Sequence, residues 1–240
     1  MPQFSVRTGQ DQALPLRAES QADRAYKILE EMIVTLRLEP GAVLSENQLA
    51  NELGFGRTPI REALQRLARE SLVVILPRKG IFVAEINPRK QLLALEVRRE
   101  LERLMARACA LRATAEEKAQ FLKIAENVDQ AAQDNDKSGF LRYDNELNTL
   151  VAKAARNEYA GRAMGLLHIL SRRFWYMHHE EAADFMLCAR LHAKLARRIA
   201  SGSPDEAARA SDQLVDYAEA FTRATVSAGS LSLGGRHGAG

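Results

Sequence analysis

The stretch SENQLANELGFGRTPIREAL, residues 45–64, decides the fold. Ser45 is a good helix N-cap, Leu49, Ala50 and Leu53 follow at helical spacing, and Gly54 can take the left-handed conformation that ends a helix. A second helical pattern begins at Arg57-Thr58-Pro59, with proline in the first turn, where its missing N–H costs least. It continues through Ile60, Ala63, Leu64, Leu67 and Ala68. Upstream, Ala25, Ile28, Leu29, Met32, Ile33 and Leu36 recur three and four apart and predict an earlier helix stopped by Pro40-Gly41. Downstream, Leu72 to Leu76 and Gly80 to Ala84 predict a β-hairpin with Arg78 and Lys79 in its turn. Three helices, the last two joined by a short glycine-bearing turn, then a hairpin, make a winged helix-turn-helix. In such a module the third helix enters the major groove of double-stranded DNA by its N-terminal end, and the hairpin is the wing.

The charge map agrees. From Arg57 to Lys79 the basic residues are Arg57, Arg61, Arg66, Arg69, Arg78 and Lys79, against Glu62 and Glu70, a local net of +4. Residues 1–86 as a whole hold eleven bases and eleven acids, so the excess sits on the reading element. Arginine presents a planar fork that matches two phosphate oxygens or the O6/N7 edge of guanine. Arg57 and Arg61, four apart, share the face opposite Ile60 and Leu64, and Thr58 adds a hydroxyl beside the free N–H groups of the first turn. A charged solvent face is the ordinary property of any amphipathic helix. It accounts for one arginine, not for the set of turn glycine, Arg-Thr-Pro, Arg61 and basic wing tip. Arg66 and Arg69 lie further along, where pairing with acids or contact with the DNA backbone is expected.

Composition sets the outer limits. The chain has 240 residues, 46% hydrophobic and 27% charged, with a formal net charge of +3, which describes a folding chain of one or two domains. The bulk charge is too slight to argue for nucleic acid. No apolar run approaches the length of a membrane span, and the N-terminus lacks the pattern of a secretory signal, so a cytoplasmic protein with no membrane partner is expected. Cys109 and Cys188 are isolated and read as buried thiols. Residues 1–20 read as a flexible arm, 21–86 as the winged module, 88–226 as a helical domain and 227–240 as a disordered tail.

That helical domain predicts six antiparallel helices: one long helix from Pro88 to Ala113, one opened by the capping box Thr114-Ala-Glu-Glu117, one capped by Ser138, then about 158–178, 183–200, and Ser203-Pro204 to about Thr225. The fold class is therefore mainly α, a winged helix-turn-helix followed by a six-helix bundle. Bundles of this kind build ligand or metal sites from inward side chains. Arg172, Arg173, Trp175, Tyr176, His178 and His179 crowd one helix and read as core, interface or solvated residues rather than pocket. No nucleophile elbow, phosphate loop or HExxH appears, so no catalytic residue is assigned.

The run Pro40-Gly-Ala-Val-Leu44, Glu46, Leu49-Ala50, Leu53-Gly54, Arg57 to Leu64, Arg66-Leu67, Leu72-Val73, Pro77 and Gly80 closely resembles the DNA-binding domain of GntR-type transcription regulators. The resemblance implies that Arg57, Thr58 and Arg61 contact the major groove and phosphates and that Gly80 is the wing-tip glycine. Pro59, Arg66, Arg78 and Lys79 complete the expected DNA face. Two departures stand out: Gly56 replaces a serine or threonine, and Asn47 sits where some relatives carry a DNA-contacting arginine.

The helical half resembles the FCD-type ligand-binding domain of the FadR-like subfamily, in which many members hold a metal through Asp-x3-His and two later histidines. Here Asp144 and His192 match, Asn148 replaces the first histidine, and no histidine falls at 214–216. The resemblance implies a homodimer whose helical domains sense a small effector, expected to be a carboxylate, and reposition two DNA heads, with repression the expected direction. Effector contacts are expected from Arg98, Asp144, Asn148 and His192, with Arg99 as the neighbouring candidate. Three readings of Asp144 and His192 stay open: an incomplete site for zinc, nickel or manganese, a metal-free pocket gripping an organic acid, or structural roles. Rival functions are a protein-interaction bundle or a small-molecule enzyme, each with a vestigial head.

Overall fold

The computed structural model describes residues 19–182 and 184–234. Helix α1 (Gln21–Val34) opens on a reciprocal capping box, in which Ser20 Oγ accepts from the Asp23 N–H and the Asp23 carboxylate accepts from the Ser20 N–H. It ends earlier than the Pro40-Gly41 signal suggests, because Leu36 already has φ 59°. Helix α2 (Glu46–Leu53) is capped by Ser45 and stopped by Gly54 at φ 69°. Helix α3 (Arg57–Arg69) follows after three residues. Strands β2 (Val73–Leu76) and β3 (Gly80–Val83) form the hairpin.

The wing is a three-stranded sheet rather than a lone hairpin. A strand of two residues, β1 (Val43–Leu44), pairs with the far side of β3, giving the order β1-β3-β2 with Val43 opposite Phe82. Two residues are too short for alternation to be read, and this strand exists only because β3 lies beside it. Leu29, Ile33, Ile60, Leu64, Leu67 and Leu72 are almost wholly buried between α1, α3 and the sheet.

Six helices follow: α4 (Pro88–Arg112), α5 (Ala115–Gln133), α6 (Lys137–Ala154), α7 (Glu158–Ala182), α8 (Phe185–Ala200) and α9 (Pro204–Gly234). The Thr114/Glu117 capping box forms as its spacing predicts. Helix α6 is capped by Asp136, not Ser138: the Asp136 carboxylate accepts from the Gly139 N–H at 2.8 Å, so the helix starts one residue before Ser138. Helix α9 continues through Gly234, overlapping the tail expected from residue 227. Isolated glycines such as Gly229 weaken a helix without ending it, particularly between good helix formers. Most of the arm (1–18) and the end of the tail (235–240) lie outside the described residues.

Helix α4 packs on α9 and α5 on α8, with alanines such as Ala106, Ala125, Ala189 and Ala193 at the buried contacts. Small side chains let the helix axes approach closely. Both cysteines are free and buried, and burial pushes the Cys109 thiol up to about 12, which leaves it inert.

Helix α7 joins the two halves. Ile169 and Leu170 pack against the core of the winged module. Arg173, almost fully buried, donates to the Ala84 carbonyl just after β3. Burial lowers its pKa to about 10, which leaves it charged at neutrality. Arg172 meets Glu31 of α1 at 3.3 Å, and Gln91 at the start of α4 donates to Ser171 Oγ at 2.9 Å.

Candidate functional site

The winged module presents two groups of polar residues. At the start of α3, Arg57 and Thr58 are exposed and Pro59 is half-buried over the first turn. Gly56 is the N-cap and supplies no side-chain hydrogen bond, so the lost hydroxyl leaves the first-turn N–H groups without a side-chain partner at that position. Arg61 is exposed but not free. Its Nε and one Nη lie 2.9 to 3.2 Å from the Glu46 carboxylate on α2, and this contact, above all, lowers the Glu46 pKa. The bidentate pairing fixes the direction of the guanidinium across the turn between the two helices. Asn47, beside Glu46, is also exposed.

Arg66 is engaged elsewhere. It stacks on the Tyr26 ring of α1 at 3.6 Å and reaches Glu70 at 3.3 Å and Asp23 at 3.6 Å. This guanidinium ties α3 to α1 and is not gathered with Arg57 and Arg61. At the wing tip, the Lys79 N–H donates to the Leu76 carbonyl at 3.0 Å, with Pro77 and Arg78 between. Proline at the second position and φ 64° at Arg78 are the type II turn pattern, which ordinarily asks for glycine where Arg78 stands. Gly80, at φ 120°, takes a conformation that side chains resist. Arg78, Lys79 and Gly80 are all exposed.

The second site lies inside the bundle. A cavity of about 90 Å³ is bounded by α4, α6, α7, α8 and α9 and continues into a recess of about 40 Å³. Arg98, Asp144, Asn148 and His192, drawn from three helices, all line both. Arg99 turns away to Asp216 and Glu219 on α9. His192 Nδ1 lies 2.8 Å from the Cys188 carbonyl and Nε2 lies 3.1 Å from Asp144 Oδ1. A carbonyl only accepts, so Nδ1 carries a proton, and a hydrogen bond from Nε2 to the carboxylate then requires the charged ring. Burial opposes that charge, but Cys188 and Asp144 outweigh it and raise the His192 pKa well above its ordinary value. Burial likewise opposes ionisation of Asp144, and His192, His168 and Arg98 together hold its pKa down.

Sequence reasoning missed His168 and Glu102. In the recess, Arg98 Nε donates to Glu102 at 2.7 Å and His168 Nε2 lies 3.7 Å from the same carboxylate. Burial works against the Glu102 charge, yet Arg98 and His168 bring its pKa to about 2. Arg172 and Trp175, read from sequence as core or interface, line the cavity too. The available signal was periodicity: His168, Ser171, Arg172 and Trp175 fall at i, i+3, i+4 and i+7, one face of α7. Arg172 Nε and Trp175 Nε1 are buried without a hydrogen-bond partner among the described residues, at a cost of about 1–3 kcal/mol each. Two arginines and two histidines thus line the larger cavity against one carboxylate, Asp144.

The metal reading does not fit this donor set. Among the described residues no cluster of three or more His, Cys, Asp or Glu side chains is placed to hold an ion. Leu214 lines the cavity where the last histidine of the metal-binding pattern would fall. Asp144 Oδ1 already takes hydrogen bonds from His192 and from Asn148 Nδ2, the latter at 3.1 Å.

The family profile described as "Bacterial regulatory proteins, gntR family" matches residues 21–83, and that of the FCD domain matches residues 94–217, more than half of the chain. The chain belongs to the GntR family of bacterial regulatory proteins, in its FCD-domain branch. Its relatives agree. A 63-residue match, 51% identical, to an uncharacterized HTH-type transcriptional regulator of Streptomyces ambofaciens covers 26% of this chain and 27% of that one. The HTH-type transcriptional repressor RspR of Escherichia coli is 25% identical over 191 residues, 78% of this chain and 82% of the relative. Among solved structures, E. coli McbR/YncC superposes with a TM-score of 0.74 at 18% identity, covering 86% of this GntR-family chain and 99% of its own. No helix among the described residues is long and apolar enough to cross a membrane.

Proposed function

We propose that this GntR-family chain is a ligand-responsive transcription regulator that binds a double-stranded DNA operator as a homodimer and acts as a repressor. Residues 21–86 form the DNA head, with Arg57, Thr58 and Arg61 at the major groove and Arg78, Lys79 and Gly80 at the wing. Residues 88–226 sense a small carboxylate. The observation that carries the sensing reading is the cavity's charge, with Arg98, Arg172 and charged His192 facing a space whose own acid, Asp144, is already paired to His192. A carboxylate entering there meets N–H donors on several sides and an apolar wall of Phe140 and Phe174. It binds without metal, since the donor set lacks the ligands an ion needs, and the chain performs no catalysis.

Dimerisation follows from affinity. One head neutralises few phosphates, whereas two heads on a two-fold site make the second contact intramolecular. The test is binding to DNA from upstream of the chain's own gene over graded salt. Arg61→Ala weakens specific binding strongly and lowers the salt slope; unchanged affinity in that variant refutes the assignment of the reading helix. Elemental analysis of purified protein checks the metal-free site, with stoichiometric zinc, nickel or manganese lost in Asp144→Ala as the contrary result.

A further inference from the structure

The cavity has two cationic poles on different helices. Arg98 of α4 and His192 of α8 make one, and their charges are partly answered by Glu102 and Asp144. Arg172 of α7 makes the other, with Trp175 beside it on the same helix face. The second pole holds the two buried N–H donors without partners, Arg172 Nε and Trp175 Nε1. Donors left in that state call for an acceptor, and the same cavity has apolar lining in Phe140, Phe174, Leu214 and Phe221.

Arg172 has a second commitment. Its Nη lies 3.3 Å from Glu31 on α1, and α1 packs against the reading helix α3. Its neighbours on α7 also reach the junction: Ser171 holds Gln91, and Arg173 holds the carbonyl that follows β3. Arg172 is therefore at once a wall residue of the ligand cavity and a contact with the DNA head, between two neighbours that hold α4 and the carbonyl after β3.

We propose that the effector is a short dicarboxylate, and that its second carboxylate binds Arg172 and Trp175 in competition with Glu31. One carboxylate meets Arg98 and His192, as the function proposed above requires, and a few methylene groups meet the apolar lining. The second turns the Arg172 guanidinium from the head to the ligand. The Arg172–Glu31 contact is half exposed on the Glu31 side and so weak enough to be displaced. Ligand and head then share one guanidinium, so each weakens the other's hold on it, and the coupling is reciprocal.

The experiment titrates the full-length protein by calorimetry with the linear dicarboxylates malonate to adipate and with the monocarboxylates of equal chain length. It compares wild type, Arg172→Gln, Arg172→Lys, Glu31→Gln and Arg98→Gln. At least one dicarboxylate is expected to bind wild type at least tenfold more tightly than its monocarboxylate. Arg172→Gln erases that margin, and Arg172→Lys keeps part of it. Glu31→Gln frees the guanidinium and tightens dicarboxylate binding several-fold. A wild type without the margin, or a margin that survives Arg172→Gln, overturns the inference. Monocarboxylate binding that is lost in Arg98→Gln, with no dicarboxylate margin, overturns this inference alone; no binding by any acid overturns it together with the carboxylate-sensing function.

Discussion

The DNA head and the effector cavity use the same chemistry, a cationic side chain beside a carboxylate, in opposite settings. On the head, Arg61 and Glu46 meet with the arginine side chain 59% exposed, and the pair fixes a direction without much energy. In the bundle, His192 and Asp144 meet with their side chains 12% and 13% exposed. There, removal of one partner strands a buried charge. The difference in burial leads to an expectation: breaking the exposed pair costs little stability, whereas breaking the buried pair costs a great deal.

The largest effect is therefore expected in the bundle. Asp144→Ala is expected to lower unfolding stability by about 3 kcal/mol, the lower end for a broken buried pair, as read by urea denaturation. Its pH dependence carries the sign. The folded His192 pKa is raised, so its contribution is complete below about pH 6.5 and fades as pH rises through the folded value. Asp144, with a lowered folded pKa, contributes above about pH 4 and loses that contribution on acidification. The pair is thus strongest between these limits, and wild type should lose stability from pH 6 towards alkaline pH more steeply than His192→Gln. Equal slopes in the two proteins would mean that folding leaves the His192 pKa unshifted.

Next comes the head. Arg61→Ala is expected to reduce operator binding by about 1–3 kcal/mol, while the thermal midpoint barely moves. A comparable loss of stability in that variant would erase the contrast between the two regions. Arg78→Gly sharpens it further. Glycine relieves the left-handed strain at φ 64° and should stabilise the fold by about 1 kcal/mol, yet it removes one charge from the exposed wing and, on the proposed DNA contact, should lower the salt slope by about one. The smallest change is Gly56→Ser. Its backbone, at φ −67° and ψ 162°, suits serine, and a Cβ would meet only Pro59 at ordinary contact distance. The restored cap should add a few tenths of a kcal/mol to stability, measured by differential scanning calorimetry.

The two regions also differ in how far they could be read from the chain alone. The proposed reading surface is local: Arg57, Thr58 and Arg61 lie within five residues on one helix whose frame is set by Gly54, Pro59 and the apolar positions Ile60 and Leu64. Anything that fixes the helix fixes the surface. The cavity gathers Arg98, Asp144, His168 and His192 from four helices, and no local pattern says which turn of each faces the others. Asp144 and His192 could be named through the resemblance to FCD domains. Glu102 and His168 could not, because their value lies in each other and in Arg98.

Helical periodicity, caps and turn residues by themselves determined the order of elements, the winged head, the six-helix bundle and the placing of positive charge on α3 and the wing. Those features depend on neighbours within a turn or two of the chain, where backbone geometry is already settled. Tertiary structure alone decided that β1 would join the sheet, that Arg66 would stack on Tyr26 instead of standing with Arg61, and that Arg172 would face both a cavity and the DNA head. Each of these turns on which helix or strand lies alongside, and that is fixed by the packing of whole faces against one another.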